Sequence, residues 1–249
     1  MEVTFIMLLA AHLIADFTLQ PDALIKRKRN VLYLGLHMLI VAGVAVLILG
    51  GFPWLLLGIL VVTHLIMDAI KVYILGDTLF SFVIDQSVHL LVIVALAISF
   101  PTQAASWWLL LPQNGQLMLI CALVLVCGLI ASLQVGAILI RKATAGFTDE
   151  IEAHVQAGTE RIEGLKNGGY YIGMLERALV MLLVLMGQIA GVGFLIAAKS
   201  ILRFGDVKES HQRKMTEYII IGTFLSFGWG VLIAALTQIG LMHYWVRLN

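Results

Sequence analysis

Charge is scarce in this 249-residue chain: Asp, Glu, Lys and Arg together make up 12%, about half the share found in an ordinary soluble domain. That shortage excludes a water-soluble globule. The net charge is only +1, so no basic excess points to nucleic acid. Cysteine is nearly absent. Cys121 and Cys127 stand six apart on one expected helix and face different directions, which excludes a disulfide framework. No basic residue precedes the first apolar segment, which begins at Val3; the cluster Lys26-Arg27-Lys28-Arg29 follows it instead. A cleaved secretory signal has its charges in front. The first segment is therefore expected to be a retained helix, with the cluster in the cytoplasm and the N-terminus outside.

What is present is hydrophobic: 61% of the residues, with a mean hydropathy of +0.99. The apolar runs are long and continuous, which excludes a β-barrel and calls for helices that satisfy their own backbone in lipid. The expected fold class is all-α, a polytopic integral membrane bundle of about seven spans. The spans run from about Val3 to Leu24, Val31 to Leu49, Trp54 to Leu75, Leu79 to Phe100, Leu117 to Ile140, Ile172 to Ala198 and Tyr218 to Tyr244. Pro21 marks an exit, and Gly50 to Pro53 a tight outer turn. Trp107 and Trp108 suit an interface. The only long polar stretch, residues 141–169, reads as a cytoplasmic amphipathic segment, with Thr148 as N-cap and a stripe of Ile151, Val155, Ile162 and Leu165. Three regions follow: 1–140 with five membrane helices, 141–169, and 170–249 with the C-terminal helices.

The last region contains a conflict. Simple alternation places Lys199, Arg203, Lys208, Arg213 and Lys214 outside, against the positive-inside rule. If Gly187, Gly191 and Gly193 break the sixth segment into a re-entrant hairpin, the spans number six and the conflict disappears. The favoured reading of Gly187 and Gly191 is a close small-residue helix contact. Glu176 and Arg177 read as an interfacial pair.

One stretch organises the first four spans. Thr63 to Leu90 carries His64 and Asp68, then Asp85 and His89, each pair one helical turn apart. The break Gly76-Asp77-Thr78 separates them, and each carboxylate lies eight residues, ~12 Å of helix, from it. His12 and Asp16 form a third pair, and His37 stands near the start of the second span. With alternating spans all seven fall in one half of the membrane, on the side of the basic cluster. Ionisable groups at such depth are costly unless they pair or bind something. Four imidazoles and three carboxylates suit a divalent transition ion, zinc or manganese, and their number suffices for two.

The motifs AHLIADFTLQ (Ala11 to Gln20), THLIMDAIK (Thr63 to Lys71), DQSVH (Asp85 to His89), IGMLER (Ile172 to Arg177), AAKSILRF (Ala197 to Phe204) and EYIIIGTFLS (Glu217 to Ser226) carry a resemblance. Over nearly the whole chain it resembles a family of bacterial polytopic membrane proteins grouped as a domain of unknown function. The resemblance implies a bacterial inner-membrane protein and no particular activity. More distantly, His64 and Asp68 are similar to the membrane-embedded His and Asp of bacterial membrane-bound metal-dependent hydrolases. Those proteins also carry His-Arg and Thr-His-Ser motifs, which this chain lacks.

The leading expectation is a metal-dependent hydrolase of an ester or phosphoester at the cytoplasmic leaflet. Its metal ligands are drawn from His12, Asp16, His37, His64, Asp68, Asp85 and His89. Asp16 or Asp85 is the base, Lys71 holds an anionic substrate or lipid head group, and Gln20 and Gln86 support the ligands. Two rivals stand beside it: a cation or proton transporter or channel using the same cluster, and a membrane scaffold that docks a cytoplasmic partner on Asp149 to Lys166. Composition leaves a homo-oligomer open. The outer halves of the first four spans carry almost no polar residues, which favours a site open to one side.

Overall fold

The computed structural model describes residues 1–21, 27–101, 108, 110–147, 167–201 and 210–246, the side chains of 210–215 and 245 excepted. The described residues are helical and contain no strand. Six helices among them are long and apolar enough to cross a membrane: Val31–Leu49, Trp54–Leu75, Leu79–Ser99, Gln113–Ala143, Gly168–Leu185 and Thr216–Tyr244. Their outward faces are apolar as well. On Val31–Leu49, for example, Leu32, Leu39 and Leu47 are exposed while His37, Met38, Val41 and Val44 on other faces are buried. A helix that is apolar all round belongs in lipid.

In chain order, α1 is Glu2–Leu13, extended by a π-helical turn over Ile14–Thr18. Helix α2 is Val31–Leu49, and α3 is Trp54–Ile70 with a second π-helical turn over Lys71–Leu75. Helix α4 is Leu79–Ser99. Helix α5 spans Gln113–Ala143 and has a third π-helical turn at Ala131–Val135. Helices α6 (Gly168–Leu185), α7 (Ile189–Ile201) and α8 (Ser210–Trp245) complete the chain.

Local chemistry sets these boundaries. Asn30 caps α2 by accepting from Leu32 N–H at 2.9 Å, and Gly50, at φ 65°, ends it. Gly76, at φ 74°, ends α3. Thr78 and Ser81 then cap α4 reciprocally, each hydroxyl accepting from the other residue's N–H at 3.0–3.1 Å.

The chain divides into two compact units, Met1–Ile130 with Ile239–Asn249, and Ala131–Gln238. The first unit packs α1 to α4 and the start of α5 around Met7, Leu8, Val44, Leu56, Leu60, Ile93 and Ile120. Trp108 is buried in this core rather than placed at an interface; Trp107 lies outside the described residues. So does the expected amphipathic stripe from Thr148 to Leu165.

The second unit corrects two expectations. The sixth segment is not one span: it breaks at Met186 to Gln188, where Gly187 stands at φ 73°. Lys199 of α7 meets Glu176 of α6 at 2.7 Å, so α7 folds back along α6 as an antiparallel hairpin. Gly191 does serve the close contact expected of it: a Cβ there would stand 2.9 Å from Leu183 Cδ2.

Glu176 and Arg177 do not pair with each other as an interfacial couple. Arg177 is buried, and its guanidinium donates to the carbonyls of Ser132 (2.8 Å) and Leu133 (3.0 Å) and to Ser226 Oγ (3.0 Å). Trp229 Nε1 donates to the carbonyl of Ala131 at 2.9 Å. A π-helical turn leaves carbonyls without their usual i+4 donors, and these side chains supply the missing N–H groups.

Replacing Gly187 by alanine puts a Cβ on left-handed backbone and is expected to cost about 1–2 kcal/mol. Gly193→Ala, where a Cβ meets nothing within 4 Å, is the control. Thermal melts in detergent check this; equal melting points for the two variants would contradict the strained turn.

Candidate metal centre

Four helices bring the seven expected residues together. His12 stands on the last turn of α1 and Asp16 in its π-helical extension, where a wider turn redirects the carboxylate. His37 comes from α2, His64 and Asp68 from α3, Asp85 and His89 from α4. His37, His64, Asp68, Asp85 and His89 are all at most 4% exposed, and His12 is 7% exposed. The rings of His64 and His89 stack at 4.1 Å between centroids, with His12 5.0 Å from His89 and His37 5.3 Å from His64.

Three ligand atoms form a nearly equilateral triangle. His37 Nε2 and His64 Nε2 are 3.2 Å apart, and Asp16 Oδ1 lies 3.4 Å from the first and 3.3 Å from the second. Ligands held ~2.0–2.1 Å from a tetrahedral ion stand ~3.3–3.4 Å from one another. Asp16 Oδ1 is buried and makes no hydrogen bond despite both nitrogens being so near. The two imidazole nitrogens are also within hydrogen-bond reach of each other, so in the metal-free protein one of them can donate to the other. Asp68 Oδ2 stands beside the triangle, 3.4 Å from His37 Nε2 and 3.9 Å from His64 Nε2.

The surroundings fix these atoms. With its amide oxygen turned toward the cluster, Gln20 accepts from His37 Nδ1 at 3.0 Å and from Lys28 Nζ at 2.7 Å. The same oxygen lies 3.3 Å from His37 Nε2, so Gln20 faces the ring edge between the two nitrogens. Gln86 bridges two groups: its oxygen lies 3.1 Å from His12 Nε2 and its nitrogen donates to Asp85 Oδ2 at 3.0 Å. His12, engaged in this way, supports the cluster from one side.

Two lysines neutralise two of the carboxylates. Lys71 donates to Asp85 Oδ2 at 2.5 Å, and Lys28 to Asp68 Oδ2 at 2.7 Å. Sequence reasoning placed Lys71 here but treated Lys28 only as part of the basic cluster. The signal for Lys28 was present: it follows the first span immediately, within reach of any carboxylate near that end of the bundle. Cys121 and Cys127 are unpaired thiols on α5 and take no part in this cluster.

Toward the other end of α1 to α4 the interior turns apolar. Leu8, Val41, Val44, Leu60, Ile93 and Leu96 fill it and are all buried. The described residues continue the cluster in no polar path through that layer.

Residues 4–118 match the family model described as "Protein of unknown function (DUF3307)". The match takes in all seven clustered residues and less than half of the chain, where the resemblance implied nearly its full length. No curated protein and no solved structure matches the chain.

Removing Lys28 leaves the Asp68 charge buried without its partner. Breaking such a pair from one side costs about 3–5 kcal/mol, so Lys28→Met is expected to lower the melting temperature of metal-free protein markedly. Lys28→Met/Asp68→Asn is expected to recover most of the loss. A single variant as stable as the parent would show that the pair carries no weight.

Proposed function

We propose that this protein is a metal-dependent hydrolase of an ester or phosphoester, working from the cytoplasmic face of a bacterial plasma membrane. The observation that carries the reading is the triangle of Asp16 Oδ1, His37 Nε2 and His64 Nε2, with edges of 3.2–3.4 Å. Three protein ligands with a side left over are the pattern of a catalytic zinc-type site, whereas structural sites are closed. A divalent ion, zinc or manganese, supplies a Lewis acid and lowers the pKa of a water molecule that it binds.

The chain's own residues have these roles in the proposal. Asp16, His37 and His64 bind the ion. Asp68 flanks the open side, and Lys28 sets how far its carboxylate leans inward. Gln20 supports the His37 ring, while Gln86 holds Asp85 and His12. Asp16, whose Oδ1 is a corner of the triangle, is a ligand and not the base in this proposal. Lys71, partly exposed at the edge of the cluster, receives the anionic part of a substrate or lipid head group. The apolar layer beyond the histidines keeps water and ions from passing through, which supports a one-sided enzyme site over a transport path.

Sidedness follows from the basic residues. With Arg27 and Arg29 cytoplasmic, α2 to α5 bring Arg141 and Lys142 back to the cytoplasm. The α6–α7 hairpin returns the chain to the side from which it entered, as the positive-inside rule asks of the basic residues that follow it in the sequence. This removes the conflict left by simple alternation. The N-terminus is then outside.

Gently purified protein is expected to carry a divalent ion, and His64→Ala to lose most of it, since an incomplete ligand set binds far more weakly. Elemental analysis reads the occupancy. Hydrolysis of a generic ester or phosphoester by the purified protein should fall in step with it. Wild-type protein that is free of metal and refuses added zinc and manganese overturns the reading.

In a background with Cys121 and Cys127 replaced by alanine, Arg29→Cys and Asp77→Cys should resist impermeant thiol reagents applied to intact cells. Gly51→Cys should react. The opposite pattern would put the centre on the outer face.

A further inference from the structure

One pair of buried atoms in the cluster lies outside the triangle and faces nothing but each other. Asp85 Oδ1 and His89 Nε2 are 3.2 Å apart, and neither makes a hydrogen bond. At that distance they form an ion pair when His89 is protonated, and a neutral His89 leaves both lone pairs turned to the same space. Asp85 is not free to turn away. Its Oδ2 accepts from both Lys71 Nζ (2.5 Å) and Gln86 Nε2 (3.0 Å), which turns Oδ1 inward. His89 lies one turn along the same face of α4. A carboxylate oxygen of Asp68 completes a set in which the ligand atoms of Asp68, Asp85 and His89 all lie within 4.8 Å of one another. This set shares no residue with Asp16, His37 and His64, which form a set of their own by the same measure; a third set, His12, His64 and His89, touches both.

We propose that Asp85 and His89, together with Asp68, hold a second divalent cation distinct from the one at the Asp16–His37–His64 triangle. The proposal rests on the hydrolase reading only in that both ions belong to one centre. A carboxylate and an imidazole, each buried and each with a lone pair turned to the same space, are ligands of the type divalent transition ions take. Asp68 stands between the two positions, beside the triangle through Oδ2 and within reach of the Asp85–His89 pair.

The two positions differ in strength for physical reasons. The triangle draws its ligands from three helices, so it is assembled by the fold and held by Gln20. The second position relies on one pair from α4 and on Asp68, and Lys71 stands against it with a positive charge. Three carboxylates, two lysines and one divalent ion already leave the cluster positive. The second ion adds to that charge, so it binds more weakly and leaves first when a chelator is added.

The test uses the full-length protein in detergent, stripped of metal and titrated with Mn²⁺ alone. Elemental analysis counts ions per chain, and electron paramagnetic resonance reports whether they couple. The wild type is expected to take up two ions of unequal affinity, separated at least tenfold, with a spin-coupled signal at saturation. His89→Gln and Asp85→Asn are expected to keep the tight ion and lose the weak one; His37→Gln should lose the tight one. A wild type that saturates at one ion, which His89→Gln retains, overturns the second position and leaves the triangle intact. One ion lost by both His37→Gln and His89→Gln means a single shared centre and also overturns it. No uptake at all defeats the hydrolase reading itself. If a variant fails to fold, the wild-type spectrum decides: an isolated-ion signal at saturation overturns the proposal.

Discussion

Three carboxylates stand in an apolar layer, and everything around them answers the cost of keeping them there. An isolated carboxylate in such a medium is expensive enough to force compensation by partner charges, donors or a bound cation. Asp68 and Asp85 each have a lysine at salt-bridge distance. Among the described residues Asp16 has no lysine at salt-bridge distance; its ion-pair partners are imidazoles of three different helices. Four helices are drawn together by these groups, so the position of the cluster and the packing of the bundle are one problem. The π-helical turns at Ile14–Thr18 and Lys71–Leu75 fit the same demand, since they lie beside Asp16 and Lys71 and adjust where those side chains point.

Much of this was legible before any coordinates. The i,i+4 spacing of His64/Asp68 and Asp85/His89 placed each pair on one helix face, and the break at Gly76-Asp77-Thr78 set the two pairs at matching depth. Helix α2 has the bounds expected of the second span, Val31 to Leu49. Other features left weaker traces. Lys28 sits in a run of four basic residues whose ordinary meaning is cytoplasmic sidedness, and that reading hid its reach to Asp68. Gln20 is expected from the sequence to support the ligands, but which groups it meets, His37 and Lys28, is set by the fold. The π-helical turns have no composition of their own. The glycines of the sixth segment and the basic residues after it left a span and a hairpin both open, and the backbone at Gly187 with the Glu176–Lys199 pair decides for the hairpin.

The second unit handles buried charge by another route. Arg177 has no carboxylate against it among the described contacts; backbone carbonyls opened by the π-helical turn of α5 take its N–H groups, with Ser226. Gly136 and Gly173 leave room for this arrangement, because a Cβ at either would crowd Arg177, at 3.1 Å and 3.2 Å. An arginine spent on carbonyls reads as a structural clamp, whereas carboxylates paired with lysine and facing imidazoles read as chemistry.

The most direct measurement on the first unit is X-ray absorption at the edge of whichever divalent metal the purified protein retains. A centre built from Asp16, His37 and His64 gives a first shell of nitrogen and oxygen at ~2.0–2.1 Å for zinc, with the outer-shell scattering of imidazole. That scattering should weaken in His37→Gln. A protein that retains no metal, or a shell without imidazole that His37→Gln leaves unchanged, would contradict the assignment.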